Sequence, residues 1–585
     1  MLKIFKYFRK RDWFYLAIVI VFIVAQVRLD LWIPEYMGKM TNAITLPGGT
    51  IDDVWNNGGI MLLCVLGSVV SSIIVGYIVA RIGAGMSRRL RRLLFDKVQD
   101  FSMAEINKFN TSSLITRSTN DITQIRMFIA MGMQVIIKAP ITAIWAVSLI
   151  TGVNLELSMT TAIAVLALVL VIVALIILVM PKFRIMQQLT DRLNLVTREN
   201  LTGIRVVRAY NTEEHAQAKF EVANEDITKT GLFVGKTMSV INPFMMLIMN
   251  GLTLSVYWLG AVIMAQTFPN LTINFGNIIE FAGYSMQIIF SFIMLTMIFI
   301  MMPRAIVSAR RINEVLDTPF TITDGTVNKT ETGLTGSVEL RHVSFRYPGA
   351  AEYVLKDVNI DIGQGETVAF IGSTGSGKST LINLIPRFYD CTEGVVIVDG
   401  HNVKDYTLNE LHNKIGYIPQ QAVIFGGTIE SNIAFGDSSS GKPTQEEIER
   451  AADIAQAKEF IENKQEKYQA HIAQGGMNIS GGQKQRLAIA RAIARTPEIL
   501  IFDDSFSALD YKTDRKLRKA LSKELKDCTK LIVAQRIGTI READKIVVLE
   551  SGNVVGIGRH DELMSSCKVY QEIAYSQLSK EELAS

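Results

Sequence analysis

Apolar residues crowd into long blocks before about residue 305, and beyond that point they alternate with charged residues as in an ordinary α/β domain. The two halves ask for different solvents. In the first, about six blocks are long and apolar enough to cross a bilayer: Phe14–Tyr36, Gly59–Ala80, Met127–Gly152, Ser158–Met180, Lys236–Gln266 and Asn277–Pro303. Connections over 41–58, 153–157 and 267–276 hold no Lys or Arg. Those over roughly 81–126 and 181–235 hold many, including Arg88, Arg89, Arg91 and Arg92. The positive-inside rule therefore predicts that both chain ends and both long connections are cytoplasmic.

The long connections read as helix throughout, in stretches such as MSRRLRRLLFDKVQDF and RENLTGIRVVRAYNTEEHAQAKF. Folded as out-and-back pairs, they have arms of about 25 residues that reach ~35 Å at about 1.5 Å per residue. Their turns, near Phe109–Ser113 and Ala209–Glu213, are the expected contacts with a soluble domain. At the start of the chain, Leu2, Ile4, Phe5 and Phe8 lie among Lys3, Lys6, Arg9, Lys10 and Arg11. That pattern suits an amphipathic elbow over residues 1–13 on the inner membrane surface. A signal peptide is disfavoured, because the apolar stretch that follows is longer than a signal core and lacks a small-residue cleavage site. The organisation expected is this elbow, a six-helix membrane domain over 14–315, a polar linker over 316–335, an α/β domain over 336–578 and a tail over 579–585.

A chain of 585 residues is too long for one domain, and its +4 formal charge is too small to imply nucleic acid. Cys64, Cys391, Cys528 and Cys567 stand far apart without ligand spacing, so reduced thiols are expected, with no metal or disulfide. Charges inside a bilayer are costly and usually face a cavity or a partner, which singles out Asp30, Lys138 and Glu280. Glu280 lies near the outer end of the last span; it reads either as an attractor for a cationic substrate or as a snorkelling carboxylate. The last two spans carry Met245, Met246, Met249, Met286, Met294 and Met297. Flexible thioethers suit a surface that binds many apolar shapes, though lipid-facing packing explains them nearly as well.

The decisive segment is GETVAFIGSTGSGKSTLINLI. An apolar strand, Thr367–Ile371, runs into Gly372-Ser373-Thr374-Gly375-Ser376-Gly377-Lys378-Ser379, which fits G-x-x-x-x-G-K-[ST], and an apolar helix follows from Thr380. Glycines let the backbone wrap closely so that its N–H groups face phosphates. Lys378 would reach the β/γ-phosphates, and the Ser379 hydroxyl would meet Mg²⁺. Further on, EILIFDD places an apolar strand before Asp503, in the position that holds Mg²⁺. An ATP and Mg²⁺ site is therefore expected.

The stretch between these motifs is more specific. Asn478-Ile-Ser480-Gly481-Gly482-Gln483-Lys-Gln-Arg486 resembles the signature of ABC transporters, with Ile479 where Leu is usual. The other family elements follow in order. Tyr347 matches the aromatic that stacks on adenine, Gln420 the glutamine that senses the Mg²⁺ site, and Ser507-Ala508-Leu509-Asp510 the loop that crosses between subunits. The resemblance covers nearly the whole chain, since six spans with two long cytoplasmic excursions look like the exporter branch of the family. It implies a polytopic α-helical membrane domain fused to an α/β P-loop nucleotide-binding domain. It also implies nucleotide contacts at Tyr347, Gly372 to Thr380, Gln420, Ser480, Gly481, Gly482, Gln483 and Asp510, with metal contacts at Ser379, Gln420 and Asp503.

In that family two nucleotide domains meet head to tail, each ATP lying between one subunit's Walker motifs and the other's signature. With one such domain here, the resemblance implies a second, related chain. The family places Glu after the Walker B Asp, whereas this chain has Asp504, one methylene shorter. A misplacement of about 1 Å can cost about 100-fold where positioning does the catalysis. The family places His in the switch segment, whereas this chain reads Val533-Ala534-Gln535-Arg536. Gln hydrogen-bonds but carries no proton or charge at neutral pH.

The site is thus expected to hold ATP and turn over slowly. The intact signature would complete a competent site on a partner that supplies Glu and His, as in heterodimeric bacterial multidrug exporters. Substrates are expected to be amphipathic or hydrophobic compounds, multiple drugs among them, leaving the cytoplasm or inner leaflet by alternating access. The rival readings are a homodimeric lipid flippase and an ATP-gated regulatory membrane protein.

Overall fold

Six long helices carry the apolar blocks: α1 (Lys10–Thr45), α2 (Ile51–Gln99), α3 (Thr111–Gly152), α4 (Leu155–Thr202), α5 (Glu213–Thr267) and α6 (Phe275–Leu316). They belong to a computed structural model that describes residues 2–267, 273–329, 333–437 and 441–577; the tail expected over 579–585 lies outside it. By contacts the chain divides into two units. One holds residues up to Gln99 and Thr111–Asp317, and the other holds Asp100–Asn110 and everything from Thr318.

Each expected span falls inside one of the six helices, which run well past it. The 49 residues of α2 extend about 73 Å, more than twice the hydrocarbon thickness of about 30 Å. The elbow is shorter than expected. Only Leu2–Phe5 forms a separate turn of helix, and Lys10 to Trp13 already belong to α1. The side chain of Asp12 starts that helix by accepting from the Arg9 N–H at 2.9 Å. Within α3 the ladder passes through two π-helical turns, Arg117–Asp121 and Phe128–Gly132.

The bundle is held by apolar packing and a few polar ties. Val19, Ile23, Val27 and Leu31 of α1 pack among Val75, Val79, Ala146, Phe281 and Ile288. Where the C-terminal part of α1 meets the start of α6, the backbones nearly touch. A Cβ on Gly276 would lie 2.3 Å from Gly38 O, so only small residues allow this approach. Two of the three intramembrane charges singled out above pair. Lys138 Nζ of α3 donates to Asp30 Oδ2 of α1 at 3.0 Å, and Ser68 Oγ of α2 donates to Asp30 Oδ1 at 2.5 Å. The third, Glu280, accepts from Tyr284 OH at 3.0 Å, one turn along α6.

The second unit begins with the tip of the first hairpin, a short helix over Met103–Lys108 that falls a few residues earlier than the expected Phe109–Ser113 turn. Asn107 Nδ2 donates to Tyr389 OH at 2.7 Å, and Glu105 Oε1 accepts from Thr321 N at 3.1 Å. Phe109 stacks on Phe101. The other tip, a short helix over Ile204–Ala209 and a turn before Glu213, lies in the membrane unit with Tyr210 74% exposed.

Two larger sheets, with helices around them and a two-stranded ribbon of Gly427–Thr428 and His471–Ile472, form the rest of the second unit. Strands β1 (Val338–Phe345), β2 (Leu355–Ile362), β4 (Glu393–Val398) and β5 (His401–Asn402) make an antiparallel sheet in the order β2-β1-β4-β5. Strands β3 (Thr367–Gly372), β6 (Ile415–Ile418), β7 (Ile499–Asp503), β8 (Thr529–Val533), β9 (Lys545–Glu550) and β10 (Asn553–Gly558) make the larger one, ordered β10-β9-β3-β8-β7-β6. All its pairings are parallel except β9 with β10. Strands β7 and β8 are buried at every position, which is why each carries a continuous apolar run, Ile499 to Phe502 and Leu531 to Val533. Register places the carboxyl ends of β3, β8, β7 and β6 along one edge, with Val533 opposite both Phe370 and Asp503. In open α/β sheets that edge is where ligands bind.

Candidate functional site

The loop leaving β3 turns into helix α7 (Lys378–Leu384) through Gly377, whose φ of 100° is left-handed and whose Cβ would meet Leu355 Cδ2 at 2.8 Å. Glycine is required there on both counts. Ser373, Thr374 and Gly375 are exposed at the crest of the loop, while Ser376 and Lys378 are buried beneath it. Lys378 Nζ donates to the carbonyls of Gly372 and Ser373 at 2.9 and 2.8 Å and to Ser376 Oγ at 3.3 Å. Burial lowers the lysine's pKa, and the nearby charges of Asp504 and Asp503 oppose that shift. A loop of backbone N–H groups with a lysine at a helix N-terminus is suited to polyphosphate.

Asp503 ends β7 beside this loop. Its Oδ1 accepts from Ser379 Oγ at 2.7 Å, and its Oδ2 lies 3.2 Å from Tyr417 OH. Tyr417 carries no motif in the sequence, although it stands on β6, three residues before Gln420. Burial and then Asp503 raise the Tyr417 pKa, which keeps that hydroxyl protonated.

Asp504 follows in the left-handed region, φ 48°, and is only 8% exposed. Its Oδ2 accepts from Gln535 Nε2 at 2.8 Å and more loosely from Gln420 Nε2 at 3.4 Å. Burial raises its pKa. The Gln420 contact opposes that rise, the Asp503 charge adds to it, and Lys378 and Gln535 oppose it. Three loops thus converge on one carboxylate. Sequence reasoning missed a further participant, Gln577, at the end of the helix Lys568–Gln577. Its amide donates to Gln535 O at 2.6 Å and accepts from Ile537 N at 2.9 Å, fixing the switch backbone from both sides. No motif marks a C-terminal glutamine.

Tyr347 lies edge-on to Phe345 and Tyr389, and its hydroxyl is 2.9 Å from Thr380 Oγ1. A cavity of about 540 Å³ opens beside it, lined by Ser102, Ala104, Arg346, Tyr389 and Asp390 among others.

The signature residues form a second cluster. Ser480 caps helix α8 (Gly481–Ala494) by accepting from Gln483 N at 3.3 Å, while Gln483 Oε1 accepts from Ser480 N at 3.0 Å. A Cβ on Gly481 would meet nothing within 4 Å, so nothing in this chain requires glycine there. A Cβ on Gly482 would come no nearer than 3.5 Å, to Ala508 O. Asp510 caps the helix Tyr511–Glu524 through Thr513 N at 3.0 Å, and hydrogen bonds from Thr513 hold its carboxyl below the usual range.

Comparison with known proteins agrees with both units. Residues 16–301 match the family model for the ABC transporter transmembrane region, and residues 355–507 match that for ABC transporters. An uncharacterized ABC transporter ATP-binding protein of Mycobacterium tuberculosis is 38% identical over 89% of this chain and 87% of its own length. A provisionally named multidrug export ATP-binding/permease protein of Bacillus subtilis is 32% identical over 83% of this chain and 82% of its own. Among solved structures, a bacterial Atm1-family ABC exporter with ATP bound superposes with a TM-score of 0.75 at 24% identity, covering 96% of this chain and 98% of that one. This chain therefore belongs to the ABC transporter family, its six apolar helices and its α/β ATP-binding domain carried on one polypeptide.

Proposed function

We propose that the chain is one half of an ATP-driven exporter whose own ATP site binds nucleotide and hydrolyses it slowly, and whose signature completes a faster site on a second, related chain. The observation that carries this reading is the Asp504 carboxylate, drawn to 2.8 Å from an amide that cannot relay a proton. A glutamate in its place would extend one methylene further toward an attacking water, and an imidazole in place of Gln535 would exchange protons near neutral pH. Ser379, Gln420 and Asp503 would hold Mg²⁺, which when bound would neutralise phosphate charge. Lys378 and the N–H groups of Ser373 to Gly377 would hold the phosphates, and Tyr347 would pack on the adenine.

Open ground around the signature supports a second chain. Gly481 faces free space, Met477 is 82% exposed and Tyr511 is 72% exposed, an apolar presentation unusual for a solvated face. At the second hairpin tip, Val206 and Tyr210 are likewise exposed. The multidrug export name of the Bacillus subtilis relative supports amphipathic or hydrophobic substrates. Substrate enters from the cytoplasm or inner leaflet, ATP binding draws the nucleotide domains together, and hydrolysis at the partner-supplied site resets the cycle. ATP drives the change only through its unequal affinity for the two states. Both chain termini and the ATP-binding domain lie in the cytoplasm in this reading.

The chain purified alone is expected to bind ATP yet hydrolyse it about 100-fold more slowly than the assembled complex. Asp504→Glu combined with Gln535→His is expected to recover about tenfold or more. Vigorous turnover by the unmodified chain would refute the proposal.

A further inference from the structure

Arg28 lies in α1, within the apolar span Phe14–Tyr36, eight residues or about 12 Å short of the end of that span. A guanidinium at that depth needs an acceptor, and intramembrane cations ordinarily find one. Lys138 has Asp30, and Asp30 is completed by Ser68. Arg28 has neither a hydrogen bond nor an ion pair among the described residues. It is held instead by two indole rings, its guanidinium carbon 4.7 Å from the Trp32 ring centre and 5.3 Å from that of Trp145.

Indole faces attract a cation but take none of its hydrogen bonds. The five N–H donors of a guanidinium lie in its plane, in a fork that matches two oxygens of one carboxylate, sulfonate or phosphate. The site therefore has its apolar walls and its positive centre, and lacks only oxygen acceptors. Its position favours the bundle interior. Trp145 belongs to α3, α1 packs against α2, α3 and α6, and Arg28 is within coulombic reach of the buried Tyr284 on α6. Asp30 is matched by Lys138 and the Glu280 carboxylate accepts from Tyr284, so neither carboxylate is given to Arg28.

We propose that Arg28, Trp32 and Trp145 form a binding site for the anionic group of an amphipathic substrate. The inference rests on the export reading above and narrows its substrate class from amphiphiles in general to amphipathic anions. The guanidinium takes the anionic oxygens in its plane, and the apolar body of the ligand lies along the indoles and the neighbouring helix faces.

Octanesulfonate and octyltrimethylammonium make a matched pair of probes, with one apolar tail and head groups of opposite charge, the sulfonate offering oxygens to the guanidinium. Equilibrium dialysis against the full chain in a nonionic detergent, without ATP, is expected to give about tenfold or more tighter binding of the sulfonate. Arg28→Gln should abolish that preference, and Arg28→Lys, which keeps the charge but loses the planar fork, should keep only part of it. Equal binding of the two probes, tighter binding of the ammonium, or an Arg28→Gln effect equal on both would overturn the proposal. In reconstituted bilayers, replacing phosphatidylcholine with phosphatidylglycerol separates the two sources of the anion. A several-fold loss of sulfonate affinity in the wild type but not in Arg28→Gln assigns the site to a lipid headgroup, and unchanged affinity assigns it to a free amphiphile. ATP-dependent uptake of both probes into inside-out vesicles that carry the assembled exporter tests the export reading separately. Sulfonate bound but never moved would refute export while leaving the site in place.

Discussion

Asp504 combines three features that rarely coincide on one residue: left-handed backbone, near-complete burial and an oxygen shared by two amides. The raised pKa means that the folded chain holds the Asp504 proton more tightly than the unfolded chain does. Between the unfolded pKa near 3.8 and the higher folded one, stability falls as pH rises, and above both values the full penalty remains. Asp504→Asn keeps an acceptor for Gln535 and Gln420 while removing the buried charge. It is expected to raise the thermal midpoint of the ATP-binding domain by roughly 2 °C at pH 8, a gain that should shrink as pH falls through the folded pKa. A melting series of the nucleotide-free protein, taken downward from pH 8, checks this; a gain that grew on acidification would contradict it. At this scale the sequence was legible wherever a residue sits in a spaced motif, as Lys378, Asp503 and Gln535 do. Tyr417 and Gln577 escaped because their roles come from tertiary proximity alone. Arg28 escaped because its setting comes from two indoles, one of them on another helix, which no spacing in the sequence reports.

Among the elements, the six helices were legible because length and apolarity decide a membrane span almost alone. What periodicity could not report is how they lock together. The two π turns in α3 leave no compositional trace, and the Gly38–Gly276 approach depends on which glycines of two distant segments meet. The Asp30–Lys138 pair was half legible. The charges stood out, but their partnership across α1 and α3, and the tie to Ser68 on α2, required the fold. Lys138→Met strands the Asp30 carboxylate and is expected to cost roughly 3 kcal/mol. Adding Asp30→Asn should recover most of that loss. Thermal unfolding in detergent of the two single variants and the double variant closes the cycle. Additive losses would mean that the pair does not hold the three helices together.

For the whole molecule, the division of labour between the two ATP sites is the claim most exposed to experiment. Ser480 caps α8 and a Cβ on Gly481 would meet nothing within 4 Å, so in the proposed complex the catalytic cost of altering them falls on the neighbour's nucleotide. Ser480→Arg is expected to lower ATP turnover of the assembled exporter about 100-fold, the scale of losing an aligned donor to transition-state charge. A loss under about twofold, with the complex still assembled, would mean that the signature serves no working site. The ordered set of motifs made the family legible from the sequence. The boundary between the units was not, because residues 100–110 are written between two membrane segments and fold elsewhere.

That displaced segment makes the backbone pass from one body to the other three times, after Gln99, after Asn110 and after Asp317. The polypeptide after α6 is therefore a redundant tether rather than the sole leash. Severing it at an engineered protease site beside the exposed Leu334 should leave two fragments that co-elute in size-exclusion chromatography. Asn107 on Tyr389 and the Val327 bridge to Tyr406 join residues from opposite sides of the cut, and Glu105 on Thr321 keeps the hairpin tip and the tether together on one side of it. Fragments that drift apart on the column would show the hairpin tip to be a passenger, too weakly gripped to pull on the helices it caps.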